Sequence, residues 1–288
     1  MQLGPVGLWA PQFRTASRAE AREVIAPLDT LGYSALWIPG GGTSEILELV
    51  AELLDSSERI VLASGILNVW MHQPEDVAKS HHELQEAHPG RFLLGLGVSH
   101  ASIVEENTSE LYRRPLSVMS RFLDGLDAAA TPVPLEERVL AALGPRMLEM
   151  ARDRSAGAHP YCTTPEHTAI ARGILGEDRL LAPELKAVLE EDPSRAREIA
   201  RRHLGRYLKM PNYVNNLLRL GYEEADLANG GTNRVVDDLV AWGSAEDVAA
   251  RFAAHREAGA DHVCIQVLPA EPASFPEREW RELAEVLL

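Results

Sequence analysis

Three histidines, His72, His100 and His159, each follow an apolar run, with small residues beside the last two. Imidazole titrates in the range where a side chain can trade protons at neutral pH, so each is a candidate general acid or base. Around them stand Asn68 and Trp70, Gly97 and Ser99, Pro160 and Tyr161. Pro39-Gly40-Gly41-Gly42, Gly144-Pro145-Arg146-Met147, Gln266 and Pro269 follow other apolar runs. The set is rich in Gly, Asn, His and aromatics and poor in paired carboxylates. Glycoside hydrolysis needs two Asp or Glu flanking a bond, and no such pair follows any of these runs. Metal-assisted hydrolysis needs His with acidic partners close by, and none stands beside these histidines, so no metal is expected. What remains suits the holding of a flat ring whose own chemistry does the work. Gly95-Leu96-Gly97 has part of a nucleotide fingerprint, although tight packing at a strand end asks for the same glycines. His81-His82 reads as a structural or surface pair within a helix, and Arg113-Arg114 as a solvated helix start or, less favoured, a pair for anionic groups.

The elements that must position these residues alternate. Strand-like runs are Leu3–Trp9, Ala35–Ile38, Ile60–Leu67, Phe92–Leu96, Val139–Leu143, Gly157–Tyr161, Leu185–Leu189 and His262–Leu268. Ile60–Leu67 is nearly all apolar, as expected of a parallel strand covered on both faces. Helical spacing fills most intervals: Ala21, Val24, Ile25, Leu28 and Leu31, for example, lie on one stripe ended by Gly32, with Pro27 predicting a kink. Thr164-Pro165-Glu166 reads as a helix start, and Ser244 with Asp247 as a capping box. Helical patterns dominate from Pro193 to about Ala258. Repeated βα units imply a parallel sheet with right-handed crossovers, and eight of them in 288 residues fit a closed (β/α)8 barrel. The stretch of about residues 190–243 reads as a helical insertion in one single domain. In such a barrel, function gathers at the C-terminal strand ends, where the residues above fall.

Composition bounds the partners. A formal charge of −15 and a pI near 5.1 argue against non-specific nucleic-acid binding, which needs clustered cations. A phosphorylated cofactor stays compatible, since a few backbone amides and one Arg can hold it. The two cysteines, Cys162 and Cys264, lack metal or disulfide-framework spacing. Nothing resembles a signal peptide or the ~20-residue apolar run of a membrane span. The cytoplasm is the expected compartment.

Six segments, in order, carry a resemblance. Gly90-Arg91-Phe92-Leu93-Leu94-Gly95-Leu96-Gly97-Val98-Ser99-His100 resembles the fourth-strand signature of the luciferase-like oxidoreductases. Gly32-Tyr33-Ser34-Ala35-Leu36-Trp37 is similar to their second strand, and Ile60–Ile66 to their third. Ala142-Leu143-Gly144-Pro145-Arg146-Met147 resembles the fifth-strand turn, Ala156–Tyr161 with Thr164-Pro165-Glu166 the sixth-strand loop, and Ala258-Gly259-Ala260-Asp261 the approach to the last strand. The finer pattern, with Asn68-Val69-Trp70 and Pro211-Asn212-Tyr213, is similar to an actinobacterial-type subgroup that uses coenzyme F420.

The resemblance implies a barrel that binds F420, or alternatively FMN, at its C-terminal mouth. It implies a bulge at Gly65-Ile66, often with a cis peptide, backing the ring, and a phosphate near Gly144, Arg146, His159 and the helix after Pro165. It also implies a homodimer and a small organic substrate. One departure matters: Trp37 is followed by Ile38-Pro39-Gly40-Gly41-Gly42, where many relatives carry a His or Glu. The proton donor is therefore absent or moved, and His100 or His72 are the substitutes. Three functions remain open: an F420-dependent oxidoreductase moving hydride, an FMN monooxygenase fed by a separate reductase, and a barrel that binds cofactor without turnover.

Overall fold

The computed structural model describes residues 3–40 and 45–288. Gly41 and Gly42 of the glycine run lie outside the described residues. Eleven strands are present among those described: β1 Val6–Trp9, β2 Ala35–Ile38, β3 Val61–Ser64, β4 Leu67–Asn68, β5 Phe92–Gly97, β6 Arg138–Leu140, β7 Gly157–Ala158, β8 Leu180–Leu181, β9 Glu184–Val188, β10 Val240–Trp242 and β11 Val263–Val267. They pair in parallel in the order β10-β9-β11-β1-β2-β3-β5-β6-β7-β8, with β4 on β5. β8 and β9 are one strand interrupted at Ala182-Pro183. Leu181 pairs with Ala158 on one side, and Glu184 with Cys264 on the other, so the sheet closes into a (β/α)8 barrel.

Two expectations shift in detail. The third apolar run is two strands, β3 and β4, on either side of a bulge at Gly65-Ile66, whose peptide bond is cis. Val240–Trp242, inside the stretch expected to be helical, is a strand because its β-branched and aromatic residues pair with Lys186–Val188 at the edge of β9. Pro27 sits within the continuous helix Arg18–Leu31, which Gly32 ends in the left-handed conformation, φ 101°. Ser244 and Asp247 form the expected capping box.

Burial divides into three regions. Between sheet and outer helices lies the main core, where Leu8, Ile25, Leu36, Val50, Leu62 and Leu94 have no exposure; each such side chain contributes about 1.5–3 kcal/mol against the entropy of ordering the chain. Inside the barrel, Trp9, Trp37, Leu93, Val139 and Cys264 form a smaller cluster. The third region belongs to helices Pro193–Tyr207, Pro211–Arg219 and Asn233–Leu239, which pack on one another through Leu204, Tyr207, Leu217 and Val236. Polar groups are used to fix the frame. Asp29, 6% exposed, accepts from the backbone N–H groups of Glu58, Arg59 and Ile60 and so ties one helix end to the start of β3.

Candidate active site

Side chains alternate along a strand, so inward positions stack in layers up the barrel. The layer beneath the mouth holds Trp37, His159, His262 and Cys264. Trp37 Nε1 donates to His262 Nε2 at 3.0 Å, and His262 Nδ1 donates to the Gly4 carbonyl at 2.6 Å. The Trp37 and His159 rings stack 4.2 Å apart, and His159 Nδ1 donates to the Ala182 carbonyl at 2.7 Å. Burial pushes both imidazoles down to about 4, so both are neutral. His159, expected near a phosphate, is an inward residue of this layer, 1% exposed, with Nε2 buried and without a partner. Pro160, the next position, is buried, and its carbonyl accepts from Glu184 N.

The bulge forms one wall of the mouth. Ile66 lies across β5, where a Cβ on Gly97 would meet Ile66 Cδ1 at 2.5 Å and one on Gly40 would meet the Ile66 carbonyl at 2.7 Å. Gly97 and Gly40 thus make room for the bulge itself. Gly65 faces Trp9, whose Nε1 would be 2.5 Å from a Cβ there. Two buried donors at this wall have no partner, Trp9 Nε1 and Asn68 Nδ2; Asn68 Oδ1 is taken by the Trp70 N–H. Unsatisfied buried donors are costly, and a heterocycle edge lined with carbonyl oxygens would satisfy them. His72 is half-buried in the loop after β4.

Tyr161 packs on Trp9, with ring centres 5.1 Å apart. Its hydroxyl donates to Gln266 Oε1 at 2.7 Å. A phenol has one proton, so the 3.0 Å bond to Tyr207 has Tyr207 as donor, and Tyr207 accepts from Arg206 Nη2 at 2.7 Å. Lys186 Nζ lies 3.8 Å from the Tyr161 ring centre and 2.6 Å from Glu184 Oε2, with both charged side chains fully buried. Burial works against the ammonium, but neighbouring Cys162 and Glu184 more than offset it and hold its pKa above the ordinary lysine value.

Helix Pro211–Arg219 covers this space from above. Asn212 Nδ2 donates to the Ser99 carbonyl at 3.2 Å and to His100 Nδ1 at 3.4 Å, and Tyr213 packs on the His100 ring at 5.0 Å. Ser99 holds a left-handed φ of 55°, and Tyr112 OH also donates to its carbonyl. Since the Ser99 carbonyl fixes which end of the Asn212 amide faces His100, His100 Nδ1 is an acceptor and its proton resides on Nε2. Burial pushes His100 down to about 4. In this state it has a neutral Nε2–H as its available donor.

A polar corner closes the far side. Helices Pro145–Arg154 and Pro165–Leu175 start from Gly144 and Thr164 with no side-chain cap; they follow β6 and β7, so both N-termini face the mouth. His167 Nε2 donates to the Leu143 carbonyl at 2.9 Å. Arg219 Nη2 donates to Asn216 Oδ1 at 3.4 Å and lies 3.6 Å from where a Gly144 Cβ would stand. Thr163 Oγ1 and Asn216 Nδ2 are buried donors without partners, while His167 Nδ1, with the ring proton on Nε2, is a buried acceptor without one. Arg146 is exposed at the second position of its helix, and Met147 packs on the outer core. Uncapped helix N-termini beside unpartnered neutral donors are groups that could hold an anion.

Among the described residues no group of His, Cys, Asp and Glu could hold a metal ion, and no helix is long and apolar enough to cross a membrane. Two surface clefts are present among the described residues, one lined by Asp237, Trp242 and Arg251 and the other by Leu189, Ser244 and Arg278.

Comparison with known proteins fits this geometry. Residues 5–262 match the family model described as luciferase-like monooxygenase, and the chain belongs to that family. No curated protein matches the chain. Among solved structures, an F420-dependent secondary alcohol dehydrogenase in complex with an F420-acetone adduct is 14% identical, with TM-score 0.78 over 100% of this chain and 98% of that one. The coenzyme F420 dependent tetrahydromethanopterin reductase from Methanopyrus kandleri is 14% identical, with TM-score 0.73 over 99% and 98%. The oxygenating constituent of 3,6-diketocamphane monooxygenase from Pseudomonas putida, in complex with FMN, is 14% identical, with TM-score 0.69 over 98% and 96%. The family assignment makes the chain a luciferase-like oxidoreductase or monooxygenase.

Sequence reading missed Glu184, Lys186, Tyr207, Thr163, Asn216 and Arg219. The signal for the first two was present: two charges two residues apart inside an apolar strand must both face the barrel interior.

Proposed function

We propose that this protein is an F420-dependent oxidoreductase that transfers hydride between the deazaflavin and a small organic substrate. The observation that carries the choice of cofactor is the charge order of the polar corner. Its inner donors, Thr163 Oγ1, Asn216 Nδ2 and the two helix N-termini, are neutral, and its guanidiniums, Arg146 and Arg219, are exposed at the outer edge. Neutral donors suit the singly charged phosphodiester of F420, whose further charges continue outward. The doubly charged terminal phosphate of FMN calls for a cation inside.

Bound F420 supplies a ring carbon that accepts or delivers hydride. Gly65-Ile66 would back the ring, and Trp9 Nε1 and Asn68 Nδ2, buried without partners, would donate to its oxygen-bearing edge. His100 Nε2–H donates to the substrate oxygen and stabilises the charge developing there, as a neutral imidazole can. Helix Pro211–Arg219 excludes water, which strengthens each of these bonds. The protein works as a homodimer.

The test is turnover. Purified protein with oxidised F420 and a panel of small alcohols, or reduced F420 with the matching ketones, should change the deazaflavin absorbance. Oxygen-dependent product formation only with FMN and a separate reductase would assign it to the monooxygenases, and binding without turnover of either kind would make it a non-catalytic carrier.

A further inference from the structure

One part of the helical insertion carries a charge opposite to that of the molecule as a whole. Between Pro193 and Arg219 stand seven Arg or Lys residues and one acid, Glu198, in a chain of net charge −15. Several of the insertion's cations are used internally. Arg195 pairs with Glu190, Arg197 with Asp237, Arg202 with Glu198, and Arg201 donates to the Gly231 carbonyl. Arg206, Lys209 and Arg219 are different. They are exposed, and among the described residues no carboxylate lies within ion-pair distance of them.

Their positions follow from bonds already described. Arg206 is two hydrogen bonds from Tyr161 at the mouth. Lys209 lies in the turn between helices Pro193–Tyr207 and Pro211–Arg219, three residues before the Asn212 that reaches Ser99. Arg219 overlies Gly144 and is close enough to His167 to help depress its pKa, after burial. Arg146, also exposed and unpaired, stands in the first turn of a helix that has no acid there, where a cation opposes the helix dipole. Its presence is favourable only with an anion beside it. The unpartnered Asn216 Nδ2 and Thr163 Oγ1, each on a residue 2% exposed, point independently to an acceptor at the inner end of this patch.

We propose that Arg219, Arg206 and Lys209 form a binding surface for a multiply anionic chain leaving the polar corner, namely the carboxylate-bearing extension of the cofactor beyond its phosphodiester. This rests on the F420 reading and adds to it that the insertion recognises the tail as well as roofing the ring. Exposed cations attract a flexible polyanion at long range and hold it without fixed geometry, so the contribution is screened by salt.

The test is fluorescence titration of the intact protein at low and high salt with two probes. One is F420; the other is the same deazaflavin lacking the phosphate and carboxylates. The variant Arg206→Glu with Lys209→Glu should weaken F420 binding about tenfold at low salt and flatten its salt dependence. Binding of the tail-less deazaflavin should not change. The conservative pair Arg206→Lys with Lys209→Arg should restore F420 affinity and so exclude a folding effect. If F420 binds wild type and the charge-reversed variant equally, the tail surface is overturned and the F420 reading stands. An equal loss for both probes also overturns it, since the residues would then act on the ring. If wild type binds no F420, both fall.

Discussion

The side-chain amide of Asn212 is aimed at Nδ1 of His100, 3.4 Å away, and is oriented by its second bond, to the Ser99 carbonyl. A residue of the insertion thereby sets the tautomer of a residue at the end of β5. Replacing His100 by Phe should lower kcat about 10²-fold, as loss of a donor to a developing oxyanion does, and leave cofactor affinity unchanged. Asn212→Asp places a carboxylate against Nδ1, draws the proton there and raises the histidine pKa, which should bring an acid limb into the pH–rate profile that wild type lacks. Steady-state kinetics over pH read both effects. An unaltered kcat in the Phe variant would remove His100 from the chemistry.

Lys186 and Glu184 form an ion pair with neither side chain exposed. Lys186→Met leaves a carboxylate buried alone and should cost about 3–5 kcal/mol in urea unfolding. The double variant Lys186→Met with Glu184→Gln should recover most of that loss. Equal destabilisation in the single and double variants would mean that packing, not charge, sets the effect.

His159, His255 and His262 are buried, with pKa values pushed down to about 4 from an ordinary 6.5, in each case first by burial. Unfolding lets them take up protons, so the stability tied to their neutrality is fully present above pH 6.5 and is lost as pH falls toward 4. Each contributes up to about 1.4 kcal/mol per pH unit in that window. Urea midpoints should therefore fall steadily between pH 7 and pH 5. A midpoint constant over that interval would contradict the burial of these rings.

The barrel was legible because its signals are local and repeated: apolar runs of strand length, stripes of helical spacing, Gly32 as a stop, the Ser244–Asp247 box. The bulge at Gly65-Ile66 was reached only through resemblance, since the run Ile60–Leu67 shows no break in its apolar pattern. That His159 faces inward was not legible, because facing inward or outward depends on strand phase and β7 as a ladder is only Gly157–Ala158. The Lys186, Tyr161 and Tyr207 contacts join residues from β9, the loop after β7 and the insertion, so no local pattern announces them.

Asp29 offers a check on the frame rather than the chemistry. Its carboxylate accepts from three consecutive backbone N–H groups before β3, and although burial raises its pKa, those bonds outweigh it and hold the pKa below the usual range. Asp29→Ala should destabilise by about 2–3 kcal/mol, whereas Asp29→Asn, which keeps one acceptor, should lose less. Thermal unfolding orders the two variants, and the reverse order would refute this role.

The most direct measurement is a parallel fluorescence titration of the purified wild-type protein with oxidised F420 and with FMN at one ionic strength. The structure's neutral inner corner and cationic outer edge predict micromolar F420 binding and much weaker FMN binding. Tight FMN binding with none for F420 would contradict the account and assign the mouth to a monooxygenase.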